Sequence, residues 1–380
     1  MDIFDERKVK SNDIINGLAR RDIYDSKGVL QVKEGTRIGK DHYDRLRDQG
    51  LIQDDVYKKE QELKRHDINY VSFNSFHTRL DRLTIEFRQL QNDIIEDANP
   101  NQREPLETIA IKLKKLSDEN IDQLLGELFL SERIKYSFIK PLYITASLIE
   151  LIKRYNRYKP ESKISPERIK NLILAGLTAN LGLLQYEKET YSKQRKLEDL
   201  DKQKLLTQYP AKSISLLEKL GYNDPVIMDT VKNYTLAADN PSEDALLLRT
   251  PFIYAGIALP SHADVDSQNL NNPSKEFALM FSKKLLNPVF GGLFLKINGI
   301  VPIGAMLIFD SREKGIVVKG PEEQNIISST VRLVTTRDNL QLKKPGDKFQ
   351  LHQSKLQQKG LSNHLHFAWN KFVPHVMWER

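Results

Sequence analysis

Between residues 70 and 286 the chain repeats one device: apolar residues at intervals of three and four, separated by short polar breaks. The stretch "FHTRLDRLTIEFRQLQNDIIED" keeps this spacing throughout and stops before Asn99-Pro100. Such spacing lines one face of an α-helix with side chains that must be buried, so the helix needs neighbours. "PLETIAIKLKKLSDENIDQLLGELFL", "KPLYITASLIELIKRYNRY", "SPERIKNLILAGLTANLGLLQY" and "YPAKSISLLEKLGYNDPVIMDTVKNYTLAAD" continue the series. Ser165-Pro166-Glu167 and Asp224-Pro225 have the form of helix starts, with proline at the first helical position. The pattern predicts six or more helices forming a core domain.

The flanks read differently. Residues 1–64 contain Asp22-Ile23-Tyr24 and Val29-Leu30-Gln31-Val32, short runs broken near Gly28 and Gly35, followed by a short helix ended by Gly50. Small strands, a hairpin and a helix are expected there. In residues 287–380, "LFLKINGIVPIGAMLIFDSREKGIVVKG" and "STVRLVTTRDNLQLKKPGDKFQL" read as strands with turns at Asn298-Gly299, Asp310-Ser311 and Pro345-Gly346. The expected fold class is mainly α: a helical bundle over residues 70–286, a small N-terminal α+β module, and a small C-terminal antiparallel β domain, sheet or barrel.

Composition narrows the function classes. The chain has no cysteine, which removes disulfides and thiolate metal sites and suits a reducing cytoplasm. The formal charge of +7 comes from interleaved acids and bases, as in "KQRKLEDLDKQK", without an aromatic-studded basic stripe; no nucleic-acid partner is expected. "MDIFDERKVK" lacks the apolar core of a secretory signal. The apolar stretch from Leu285 to Phe309 holds Lys296, Asn298, two prolines and four glycines, so no membrane span is expected.

"LAGLTANLGLLQYEKE" places small Ala175 and Gly176 before the polar step Thr178-Ala179-Asn180 within a helical pattern. With Lys140-Pro141-Leu142, Tyr209-Pro210 and "YTLAADNPSED", it resembles the HD-GYP family of cyclic di-GMP phosphodiesterases, in a divergent form. "INGIVPIGAMLIFDSREKGIVV" is similar to a tail that often follows that domain, and the first region resembles the small domain that often precedes it. The resemblance covers most of the chain and rests on register and spacing.

Active members hold metals with His and Asp from several helices, because phosphodiester hydrolysis near neutral pH uses metal-bound hydroxide. The resemblance implies a correspondence for each ligand position. The early His-Pro-Leu falls on Lys140-Pro141-Leu142, the His-Asp step on Ala179-Asn180, and the Gly-Lys after it on Gly182-Leu183. A later His-Pro falls on Tyr209-Pro210, the His-His pair of the signature on Tyr234-Thr235, and the late Ala-Asp on Ala255-Gly256. Only Asp239 keeps a signature letter. No histidine occurs between His77 and His262. The resemblance therefore implies a fold without catalytic residues, metal or cofactor, and no hydrolysis is expected of it.

Two readings follow from it. One is a non-catalytic signalling or scaffold protein in a bacterial cytoplasm, acting on a protein partner such as a diguanylate cyclase or a motility or attachment component. The other is a sensor that binds cyclic di-GMP without cutting it, with Lys140 drawing phosphate, Tyr209 or Tyr234 stacking on a base, and Asp239 close by. Against stacking stands the possibility that the tyrosines fill the former metal cavity. Residual hydrolysis is the weakest reading. His66-Asp67, and His364 and His366 with His375, are read as a surface pair and part of an aromatic tail rather than metal sites. Gly291-Gly292 and Gly299 with Gly304 lack the Lys-Ser/Thr of a phosphate loop.

Overall fold

The computed structural model describes residues 76–130, 136–191, 199–236, 238–259, 273–283, 285–322, 325–338, 346–351 and 358–361, with residue 342 and short segments between 14 and 46. The chain divides into two compact units, Met1–Ser72 and Phe73–Arg380. In the first, β1 (Ile14–Ile15) pairs antiparallel with β2 (Leu18–Ala19), and β3 (Ile23–Tyr24) with β4 (Leu30–Val32). The small strands and hairpin expected from the broken apolar runs are present. Of the helix expected at residues 40–50 only Leu46 is described, helical and buried; Gly28, Gly35 and Gly50 lie outside the described residues.

The second unit is built on helices. They are α1 (Phe76–Asp97), α2 (Arg103–Glu119), α3 (Ile121–Leu130), α4 (Tyr136–Tyr158), α5 (Pro166–Thr178) and α6 (Leu181–Tyr191). There follow α7 (Asp199–Lys219), α8 (Pro225–Asn233), α9 (Glu243–Ala258), α10 (Pro273–Ser282) and α11 (Pro288–Asn298). The expected starts are formed as read. Ser165 accepts from the Arg168 N–H, and Asp224 from those of Val226 and Ile227, satisfying donors that a helix leaves unpaired at its first turn. One apolar core runs from α1 through α11. Helix α9 is buried over most of its circumference, with Leu247, Leu248, Ile253, Tyr254, Ala255 and Ala258 in the core and Gly256 exposed, as expected of a helix that is largely apolar all round.

Three expectations need correction or narrowing. Residues 288–298 form α11 rather than a strand: Asn287 accepts from Val289 and Phe290 N–H groups, Pro288 presets the first turn, and Phe290, Phe294 and Ile297 enter the helical core. A short apolar run fits a buried helix as well as a buried strand, so spacing could not separate them. Secondly, of the two forms expected for the C-terminal strands, sheet or barrel, the described residues form an open sheet. Strands β5 (Met306–Phe309), β6 (Lys314–Lys319), β7 (Thr330–Leu333), β8 (Lys348–Gln350) and β9 (Gln358–Leu361) take the antiparallel order β8-β7-β6-β5-β9. Thirdly, sheet and helices share one compact unit, without a boundary near residue 287. Gly304, at φ 90°, brings backbone directly onto α3, where a Cβ would stand 2.8 Å from the Gly126 carbonyl oxygen. No helix among the described residues is long and apolar enough to cross a membrane.

Candidate functional site

The polar step after α5 is a break in the helix. Ala179 and Asn180 form the turn between α5 and α6: the Ala179 N–H still donates to the Ala175 carbonyl and the Asn180 carbonyl still accepts from the Leu184 N–H, while the Ala179 carbonyl and the Gly182 N–H turn to side-chain partners. Ser213, on α7, supplies them. Its hydroxyl donates to the Ala179 carbonyl at 2.8 Å and accepts from the Gly182 N–H at 2.9 Å, so a single side chain serves both sides of the break. That reach requires α6 and α7 to meet backbone to backbone. A Cβ on Gly182 would run into the Tyr209 carbonyl oxygen and lie 2.8 Å from Lys212 Cβ, so only glycine fits.

The same crossing carries Tyr209 to the break. Tyr234, the residue after α8, arrives from the other side. Its position is held by Arg249 of α9, whose guanidinium donates to the carbonyls of Asn233, Tyr234 and Thr235 at 3.1, 3.1 and 2.6 Å. Asn233 is the last residue of α8 and Tyr234 its cap, a helix end where a cation is favoured. Burial pushes the pKa of Arg249 below its ordinary value. The Tyr234 hydroxyl lies 2.6 Å from that of Tyr209, 3.0 Å from Asn180 Oδ1 and 3.2 Å from the Ala179 carbonyl oxygen. The rings of Tyr234 and Phe252 meet edge to face at 4.7 Å, and Lys140 Nζ sits 4.9 Å from the Phe252 ring centroid. Gly256, one turn further along α9, lies against Lys140: a Cβ there would be 3.9 Å from Nζ.

Six positions separated by up to 116 residues thus gather in one place: Lys140, Ala179, Asn180, Tyr209, Tyr234 and Gly256. Thr235 adjoins through its carbonyl alone. Asp239 does not join them; it is exposed on the bend after α8. Tyr209 and Tyr234 are 1% and 0% exposed, so neither ring offers a face for a base to stack upon. Their role in this structure is to fill the centre of the bundle and to answer the polar groups of the helix break.

A cation pair does not fit these residues. The Lys140 ammonium lies beside Gly256 and repels a second positive charge. Asn180 Oδ1 already takes a hydrogen bond from Tyr234. Burial raises the pKa of both phenols above the ordinary tyrosine value, which disfavours the phenolate a metal would require. Among the described residues, no group of three or more His, Asp or Glu side chains assembles as a metal site.

Sequence reasoning missed Ser213, Arg249 and Phe252. Ser213 follows Tyr209 by four residues, hence on the same face of α7, and that spacing was the available signal. For Arg249 and Phe252, whose partners lie on other elements, no local pattern existed. His77, the one histidine among the described residues, is engaged elsewhere. Its Nδ1 lies 2.7 Å from Glu127 Oε2, and Glu127 Oε1 accepts from Gln123 at 2.6 Å, tying α1 to α3. His66-Asp67, His364, His366 and His375 lie outside the described residues, as do residues 193–198 of "KQRKLEDLDKQK". Comparisons with protein-family models, with curated proteins and with solved structures give no match for this chain.

Proposed function

We propose that the protein is a catalytically silent signalling or scaffold protein, built on an HD-GYP-like helical frame and acting through a protein partner in cyclic di-GMP-related regulation. The observation that supports this reading is the gathering of Lys140, Asn180, Tyr209 and Tyr234 at the positions the resemblance assigns to metal ligands: Tyr234 hydrogen-bonds with Tyr209 and Asn180, and Lys140 lies over Phe252, which packs on Tyr234. Metal-activated water is the chemistry such a frame would use, and these side chains are unsuited to hold the metal. A diguanylate cyclase or a motility or attachment component of a bacterial cytoplasm is the class of partner in view.

The test is metal analysis together with turnover. Purified protein is equilibrated with manganese or ferrous ion and incubated with cyclic di-GMP; substoichiometric metal and no linear dinucleotide are expected. Stoichiometric metal with product release would overturn the reading. Titration calorimetry with cyclic di-GMP addresses the sensor alternative, which would require the enclosed Tyr209 and Tyr234 rings to open. Heat of binding would move the function from scaffold to sensor.

A further inference from the structure

The pair that ties α1 to α3 has a chemistry the bundle centre does not share. His77 is the second residue of α1, the first helix of the larger unit. Glu127 lies on α3, next to the Gly126 on which Gly304 rests. Both ring nitrogens of His77 face carboxylates. Nδ1 stands 2.7 Å from Glu127 Oε2, and Nε2 stands 3.4 Å from Asp81 Oδ2, one turn along α1.

Ionised carboxylate oxygens only accept hydrogen bonds, and a neutral imidazole has one N–H to give. In that form one ring nitrogen turns its lone pair towards a negative oxygen. The imidazolium donates on both sides and removes the conflict. Glu127 strengthens the demand. Its side chain is 4% exposed, and its other oxygen takes the neutral Gln123 amide at 2.6 Å. A carboxylate withdrawn from water to that degree needs a counter-charge, and among the described residues its ion-pair partner is His77.

Helices α2, α4 and α6 also pack on α1. Glu119 of α2 is paired with Arg79, and Lys153 of α4 with Asp118. On α6, the ionisable group within residues 181–186 is the Tyr186 phenol, which lies under Lys212. Among the described residues, the acids that reach the ring are thus Asp81 on its own helix and Glu127 on α3.

We infer that His77, held between Asp81 and Glu127, is a pH-sensitive link between the first turn of α1 and α3, closed while the ring is protonated. The proton between Nδ1 and Oε2 belongs to the pair, so either partner can carry it without changing the count. Folding makes this proton harder to remove. The link is therefore complete below the ordinary imidazole value of about 6.5, and it is lost as pH climbs through the higher folded value. Its loss frees the start of α1 from the helix that seats the sheet, while Phe76 and Leu80 keep α1 in the core. The link is independent of the proposed function.

The experiment has two arms on the full chain. Imidazole carbon NMR follows the His77 ring, its signal assigned through the backbone. A titration midpoint about one unit above 6.5 is expected, falling in Asp81→Asn, a substitution at an exposed position. Urea denaturation forms the second arm. The midpoint of the parent should exceed that of His77→Gln most at about pH 6, with the gap shrinking by about pH 9. An NMR midpoint at or below about 6.5, or one unmoved in Asp81→Asn, overturns the inference. So does a urea gap that stays constant across this range; the NMR arm decides if His77→Gln does not fold.

Discussion

Removing single hydroxyls from the bundle centre provides a quantitative test of the network around Asn180. With one proton on each phenol, the arrangement that uses both runs from Tyr209 to Tyr234 and on to Asn180 Oδ1. Tyr234→Phe keeps the ring and its contact with Phe252 but strips Tyr209 of its acceptor and Asn180 of its donor. Two groups in residues no more than 3% exposed are left unanswered, and the expected loss of stability is about 2–4 kcal/mol. Tyr209→Phe is milder, because Tyr234 still donates to Asn180; about 1 kcal/mol is expected. The double variant leaves no orphaned Tyr209 hydroxyl, so its loss should fall short of the sum of the singles by about 1 kcal/mol. Urea denaturation followed by circular dichroism at constant m-value measures all three. Strict additivity, or a Tyr234→Phe variant within about 0.5 kcal/mol of the parent, would refute the shared network.

Gly182→Ala pushes a methyl into the Tyr209 carbonyl at the α6–α7 crossing, and a loss of about 3 kcal/mol is expected from thermal unfolding. Gly292→Ala, inside α11 with nothing within 4 Å of the added Cβ, should instead raise stability by about 0.5–1 kcal/mol; equal effects from the two would contradict the packing described. Alkaline titration tests the buried phenols. Tyr143, Tyr209 and Tyr234 have pKa values raised by burial, so each keeps its proton in the folded state longer than in the unfolded chain. Their contribution is intact below about 10 and is lost as pH climbs towards the folded values. Tyrosinate absorbance should therefore show exposed phenols ionising near 10 and a later step coincident with unfolding. Smooth titration of every phenol before loss of helicity would contradict it.

Legibility in the sequence followed the range of the forces involved. Helix α1 was readable end to end because its apolar spacing is local, and Ser165 and Asp224 declared their helices through caps acting two or three residues away. The polar step at Thr178-Ala179-Asn180 was visible within a helical pattern, but not the break in the helix there, which Ser213, 34 residues on, answers with its hydroxyl. Helix α11 was misread for a related reason: its apolar run is decided by burial against α4 and α9, which spacing alone does not encode. Asp239, chosen for keeping a signature letter, proved exposed, while Phe252, which carries no signature, bridges Lys140 to Tyr234.

The seating of Gly304 on the Gly126 carbonyl has a consequence for anyone dissecting this chain. Where two modules are joined by side chains, a cut leaves each with a surface that can be repaired by polar substitution. Here main chain rests on main chain, and the helix just before the sheet contributes Phe290 and Phe294 to the common interior. Cutting near residue 287 would thus strip aromatic rings from one fragment and strand them on the other. Expression trials should keep everything from Phe73 onward in one piece.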